Sequence, residues 1–346
     1  MNLAIPHSRP SLGDVELREL VGTIESGFLA PGARSTELGR QVARRYDCRF
    51  GLAVNSCTSA LHLALLALGI TRGGRVAVPA LVCPSILNPI RYVGAEPFVV
   101  DIRAQDHQID LERLHEIQRR GRLDAVIVPH RYGHLLDVEP VAERVPVIED
   151  WAHSLGATLG GNACALRGRI GVVSFYATKM IATGCGGALV TSDDRIAAIA
   201  ARTSDYYQQD HGDVRYNYRM PDLNAGVGLA QLAQLDEFID SRRRLAQRYV
   251  ELLRDNAAVV ESDDASGSVW YRFIVRVGNR RRRDEILARS EREGCGIGTI
   301  DILPPSIAGD AAVSASEWAS CVSLPIYPRL SEQDQERIVA CVRAVA

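Results

Sequence analysis

The sequence predicts an α/β protein. It would have a large domain with a mostly parallel central sheet sandwiched by helices, then a smaller C-terminal α+β domain. Three observations carry that expectation. Short apolar runs alternate with helical segments between Gly51 and Thr191, as strands covered on both faces do. The pattern changes after Pro221, where long helices rich in Ala, Leu, Gln and Arg begin. At 346 residues the chain is too long for one ordinary core, so two domains are expected, over 1–239 and 240–346.

The elements follow in order. Ser11 reads as the cap of a first helix, Gly27–Gly32 as a loop, and Thr36 to Tyr46 as a second helix. Gly51-Leu-Ala-Val-Asn is a short strand, and Thr58 to Leu68 a helix ended by Gly69. Arg75-Val-Ala-Val-Pro is a strand, Pro84 to Tyr92 a helix and Pro97-Phe-Val-Val-Asp a strand. Asp110 to Arg120 is a helix, Asp124-Ala-Val-Ile-Val a strand, Val138 to Arg144 a helix and Pro146-Val-Ile-Glu a strand. Gly171 to Tyr176 and Ala188 to Thr191 complete the large sheet. In the second domain, Val269 to Val277 alternates as a half-buried strand. The run Arg280–Arg283 reads as a solvated turn, Asp284 to Glu293 as a helix, Ile297 to Ile302 as extended chain and Ser331 to Val345 as a terminal helix.

Composition excludes several classes. Formal net charge is −2, without the basic excess of a nucleic-acid binder. No apolar run approaches the length of a membrane span, and the N-terminal stretch lacks a basic segment followed by an apolar core. The 8 cysteines form no Cys-x-x-Cys pair, so zinc spacing is absent and no metal site is expected. Scattered thiols point to a reducing, cytoplasmic setting.

The chain has a single lysine, Lys179, while Lys and Arg together number 40. Arginine can supply positive charge elsewhere, but a guanidinium cannot act as an amine nucleophile. Codon bias with one surviving lysine explains the count equally well until the neighbourhood is considered. Lys179 ends Ser174-Phe-Tyr-Ala-Thr-Lys and precedes Gly184-Cys-Gly-Gly, a Gly-flanked loop between strands that could hold it against a ligand. Val147-Ile-Glu-Asp150 ends a strand at the edge where open α/β sheets bind ligands, although Asp150 could also cap a helix. His153, taken alone, reads as a satisfied structural histidine. Asn55-Ser-Cys-Thr-Ser59 joins a strand to a helix; its hydroxyls and N–H groups suit a phosphate, and ordinary capping accounts for them as well.

Taken together, these segments and Tyr216-Asn-Tyr-Arg-Met-Pro-Asp-Leu-Asn-Ala resemble the DegT/DnrJ/EryC1/StrS sugar aminotransferases. The likeness runs nearly end to end, from Ile5-Pro-His-Ser-Arg-Pro to Ser323-Leu-Pro-Ile-Tyr-Pro. It implies a pyridoxal 5'-phosphate (PLP) enzyme of fold type I that moves an amino group, with glutamate as donor, to a keto-sugar that is usually nucleotide-linked. It implies that Lys179 is joined to PLP and later shuttles a proton, that Asp150 pairs with the pyridinium nitrogen, and that His153 contacts the ring hydroxyl. Thr58, the backbone around Cys57, and Ser174 would hold the phosphate. Asn217 would reach the phosphate of a neighbouring subunit, making a homodimer with shared active sites. The chain departs from the family pattern at Cys57, where Gly is usual, at Cys185, where Glu is usual, and at Cys83, where an aromatic ring usually stacks on PLP. The stretches Asp137–Val147 and Thr299–Ala312 look shorter than usual, which leaves the acceptor open. A cyclitol or another keto-acceptor, and a catalytically silent PLP-binding regulator, stay as alternatives. A sugar dehydratase is disfavoured because such relatives carry histidine in place of the lysine.

Overall fold

The computed structural model describes residues 4–207, 212, 214–255, 258, 259 and 265–345, so the first three residues of the N-terminal stretch lie outside it. Two helices, α1 (Asp14–Ser26) and α2 (Ala33–Arg45), precede the sheet. The cap of α1 is Gly13 rather than Ser11: the Gly13 N–H donates to Glu16 Oε2 at 2.7 Å, a capping bond made by the backbone. The chain continues through β1 (Phe50–Val54), α3 (Cys57–Ala67), β2 (Arg75–Pro79), α4 (Leu87–Tyr92) and β3 (Glu96–Val100). Then come α5 (Leu111–Arg120), β4 (Ala125–Pro129), the single turn α6 (Glu139–Ala142) and β5 (Val147–Asp150). A small hairpin, β6 (Thr158–Leu159) and β7 (Asn162–Ala163), leads to β8 (Ile170–Ser174), β9 (Gly187–Thr191) and α7 (Asp194–Ser204). The sequence reading had assigned neither the hairpin nor α7.

The seven-stranded sheet has the order β1-β9-β8-β5-β4-β2-β3. All neighbouring pairs are parallel except those of β9, which runs antiparallel to β1 and to β8. Successive side chains point to opposite faces. Val172 and Leu189 therefore join the core under α3, α4 and α7, whereas Val173, Ala188 and Val190 join the core that includes Leu38, Val42 and Phe238. Gly171 leaves room for Trp151: a Cβ there would lie 1.9 Å from the indole. Trp151 is fully buried and stacks on Tyr46 at 3.7 Å.

The remaining helices are α8 (Asp222–Ala233) and α9 (Leu235–Leu253), followed by β10 (Ala258–Val259), β11 (Phe273–Arg276) and α10 (Arg280–Arg292). Two short helices, α11 (Pro305–Ala308) and α12 (Ala312–Ser320), lead to β12 (Cys321–Leu324) and α13 (Glu332–Arg343). The second sheet, β10-β11-β12, is antiparallel and has its own apolar core, which includes Tyr249, Phe273, Ile338 and also Ile5.

Two expectations are corrected here. The strand read from Val269 begins only at Phe273, because the preceding backbone is bonded elsewhere. Val269 N–H donates to Gly133 O at 3.1 Å, Arg272 N–H to Tyr132 O at 3.3 Å, and Arg242 donates to the carbonyls of Trp270 and Tyr271. The run Arg280–Arg283 is the first turn of α10 rather than a solvated turn. Asn279 Oδ1 accepts from Arg282 N–H as its cap, and Arg283 is buried with its guanidinium 4.2 Å from the Trp318 ring centre.

Candidate active site

The parallel strands β1, β2, β4, β5 and β8 have their carboxyl ends on one side of the sheet, where an open α/β fold places its ligands. A cavity of about 540 Å³ opens there, and its walls include Cys57, Thr58, Cys83, Asp150, Ser174 and Lys179. His153 and Cys185 line the same cavity, so every site residue singled out from the sequence except Asn217 meets there.

Each is positioned by a local feature. Ser56 caps α3 by accepting the Ser59 N–H at 3.0 Å. Cys57 and Thr58 are the first two helical residues, whose N–H groups have no intrahelical acceptor. Gly187 allows this helix start to approach β9, since a Cβ there would lie 2.7 Å from Cys57 N. Ser174 ends β8, and its hydroxyl accepts a long bond from Tyr176 N–H at 3.4 Å. Lys179 lies in the loop from β8 to β9. That loop is closed by Phe175 N–H to Gly186 O at 2.9 Å and Ala177 N–H to Gly184 O at 3.0 Å. Cys83 is exposed at the cavity edge, 3.2 Å from Ser85 Oγ.

The charges of the site are set by burial. Asp150 ends β5, and its Oδ1 accepts the Ala152 N–H at 2.9 Å, closing a local turn; no helix follows, so Asp150 is not a helix cap. Burial raises the Asp150 pKa, against the lowering effects of that N–H and the Lys179 charge. His153 is held neutral: burial, then the charges of Lys179, Arg131 and Arg272, push its pKa well below the usual value. Its ring stacks on Tyr271 with centroids 4.2 Å apart. Burial likewise keeps Cys57 a thiol, with Asp150 adding to the upward shift. Lys179 Nζ lies 4.8 Å from the Tyr271 ring centre. Burial opposes ionisation of Tyr271, yet Lys179 and then Arg272 bring its pKa down to about 8.

Asn217 stands apart. It is exposed and does not line the cavity of its own chain, while its carbonyl accepts from Asn55 Nδ2 at 2.9 Å, beside the start of α3. The sequence reading missed Arg131, Tyr271, Arg272 and Asp301, all of which face the cavity. For Arg131 there was a signal, because Pro129-His-Arg-Tyr-Gly-His puts polar chemistry at a strand's carboxyl end. Tyr271, Arg272 and Asp301 come from loops whose placement depends on the second sheet.

The residues fit PLP by their own chemistry. An acid lies at a strand end for the ring nitrogen, a primary amine lies in the same cavity, and a helix N-terminus offers free N–H groups to a phosphate. Fold and site together define a PLP-dependent aminotransferase of fold type I. The chain belongs to the DegT/DnrJ/EryC1/StrS aminotransferase family, whose model matches residues 10–343. It is similar to the aminotransferase TlmJ from Streptoalloteichus hindustanus, at 27% identity and TM-score 0.91, over 99% of this chain and 98% of that one. It is also similar to S. venezuelae DesV in complex with ketimine intermediate, at 26% identity and TM-score 0.87, over 97% and 98%. A DegT DnrJ EryC1 StrS aminotransferase from Brucella abortus matches at 27% identity and TM-score 0.86, over 95% of both chains. Among the described residues no helix is long and apolar enough to cross a membrane.

Proposed function

We propose that the protein transfers an amino group from L-glutamate to a keto-sugar, nucleotide-linked, in amino-sugar biosynthesis in the cytoplasm. The observation that carries this reading is that the only lysine of the chain shares one cavity with Asp150 and the open end of α3. Bound there, PLP supplies an electron-accepting ring and the carbonyl that takes up and releases the amino group. Lys179 would hold the cofactor through its amine, and that amine, when free, would accept and return the proton of the substrate carbon. Asp150, in a dry site, keeps the ring nitrogen protonated through a charge-assisted hydrogen bond. Neutral His153 would contact the ring hydroxyl. Thr58, the Cys57 backbone and Ser174 would hold the phosphate, and Cys83 would cover the ring.

The same reading makes the enzyme a homodimer in which Asn217 completes the partner's phosphate site. Its support is the exposure of Asn217 together with an uncovered apolar face at α1 and the following loop, where Leu17 is 58%, Ile24 56% and Phe28 77% exposed. The division into domains over 1–239 and 240–346 is supported by the separate core of the second sheet.

A screen of nucleotide-linked keto-sugars with glutamate, read by mass spectrometry, tests the reaction. The expected result is an amino-sugar formed together with 2-oxoglutarate. Glutamate turnover with a cyclitol ketone alone would move the acceptor to that class. Full PLP occupancy with no glutamate half-reaction would instead favour a silent regulator.

A further inference from the structure

A second group of charges faces the cavity, and the cofactor roles leave it unused. Arg131 follows β4, lines the cavity and is 1% exposed. One of its terminal nitrogens donates to Tyr132 Oη at 2.8 Å, and its guanidinium lies 4.5 Å from the Tyr132 ring centre. Its Nε is buried with no hydrogen-bond partner. Arg272, half-buried, reaches His7 Nε2 at 3.1 Å. His7 is no counter-ion, since burial and the Arg272 charge hold its pKa at about 3. Neither arginine takes part in an ion pair among the described residues; the two acids lining the cavity are Asp150 and Asp301. A buried cation left without a counter-ion is unfavourable until an anion arrives.

The backbone brings the two arginines to one end of the cavity. Tyr132 adopts a left-handed conformation, φ 58°, which is rare for a bulky side chain and is tolerated where the surroundings hold it. Those surroundings are the segment that carries Arg272, through Arg272 N–H to Tyr132 O and Val269 N–H to Gly133 O.

We propose that Arg131 and Arg272 form a carboxylate subsite for a substrate of the transamination, distinct from the phosphate cradle at α3. Depth favours a carboxylate: a small planar anion at the end of a short chain can reach a 1%-exposed guanidinium, whereas a nucleoside diphosphate needs the mouth of the cavity. The carboxylate belongs either to the amino-acid donor or to an acidic keto-acceptor. The subsite rests on the PLP aminotransferase reading of the cavity.

The test uses holoenzyme, as wild type, Arg131→Leu, Arg131→Lys and Arg272→Leu, with PLP occupancy of Lys179 checked in each. Glutarate, a dicarboxylate without an amine, is titrated by calorimetry against uncharged glutaramide. Wild type should prefer glutarate. Each leucine variant should bind it about 10- to 100-fold more weakly, the scale of one charge-assisted hydrogen bond, with partial recovery in Arg131→Lys. Two half-reactions then separate the sources. A raised KM for glutamate at nearly constant kcat assigns the subsite to the donor. A loss confined to a carboxylated keto-sugar, with a neutral keto-sugar unaffected, assigns it to the acceptor. Equal glutarate affinity in wild type and Arg272→Leu, with both half-reactions unchanged, overturns the proposal. Absence of PLP from Lys179 in the wild type is a separate failure, that of the cofactor reading itself.

Discussion

The two ends of the cavity are built differently. At the cofactor end, the end of β5, the end of β8 and the closed loop bearing Lys179 are fixed by main-chain hydrogen bonds of one sheet, and the start of α3 by the Ser56 hydroxyl that caps it. At the other end, Arg131, Arg272 and Asp301 are side chains on loops, while Tyr271, next to Arg272 in the chain, reaches back to stack on His153. A few bonds join them, among them Arg272 N–H to Tyr132 O and those from Arg242 to Trp270 O and Tyr271 O. The fold itself therefore sets the chemistry at the first end. At the second, the proposed carboxylate subsite rests on side chains carried by loops rather than on the sheet itself. Substitutions at the first end should abolish turnover, and those at the second should shift affinity.

The largest expected effect is at Lys179. Lys179→Arg keeps a positive charge in the cavity yet should lower transamination by about 10⁴-fold, because a guanidinium neither joins the cofactor nor accepts the proton. Single-turnover absorbance with glutamate measures it, and substantial residual turnover would erase the distinction between the two ends. Asp150→Asn should keep some PLP and slow the half-reaction by about 10²–10³-fold, since an amide can hydrogen-bond the ring but cannot stabilise its protonated form. Near-wild-type turnover with cofactor fully bound would remove Asp150 from the chemistry.

Asn217 sharpens the comparison by asking whether the cofactor end is complete within one chain. Asn217→Ala should weaken PLP binding by about 1.5–3 kcal/mol, the worth of a charge-assisted hydrogen bond. Refolding it together with Lys179→Ala should restore one intact site in each mixed dimer. If mixed dimers form and show only the average of the parents, Asn217 does not act across the interface.

The smallest effect is spectroscopic. In the apoenzyme Tyr271 should ionise near pH 8, giving a phenolate absorbance that is missing in Tyr271→Phe and moves upward in Lys179→Ala. The folded value lies below the ordinary 10, so ionised Tyr271 adds stability that is complete above pH 10 and lost as pH falls through 8. A midpoint unchanged by Lys179→Ala would separate the tyrosine from the lysine.

Legibility followed the same division. The alternating strands, the end of β5 at Asp150 and the loop of Lys179 could be read because period and loop chemistry are local properties. The strand expected at Val269 started late, and Arg272 went unnoticed, because Val269 and Arg272 bond to the loop after β4, and Trp270 and Tyr271 to Arg242, rather than to a neighbouring strand. The arginine run at 280–283 misled for a comparable reason. Burial of Arg283 depends on Trp318, 35 residues further along, which no local pattern reveals. Asn217 was picked out by resemblance alone, and within one chain it meets no other predicted site residue.

The most direct test of the account is borohydride reduction of the PLP-saturated enzyme followed by peptide mapping. With one lysine in the chain, the account predicts the pyridoxyl group on the peptide containing Lys179, in stoichiometric amount. A saturated enzyme whose Lys179 peptide emerges unmodified after reduction would contradict it.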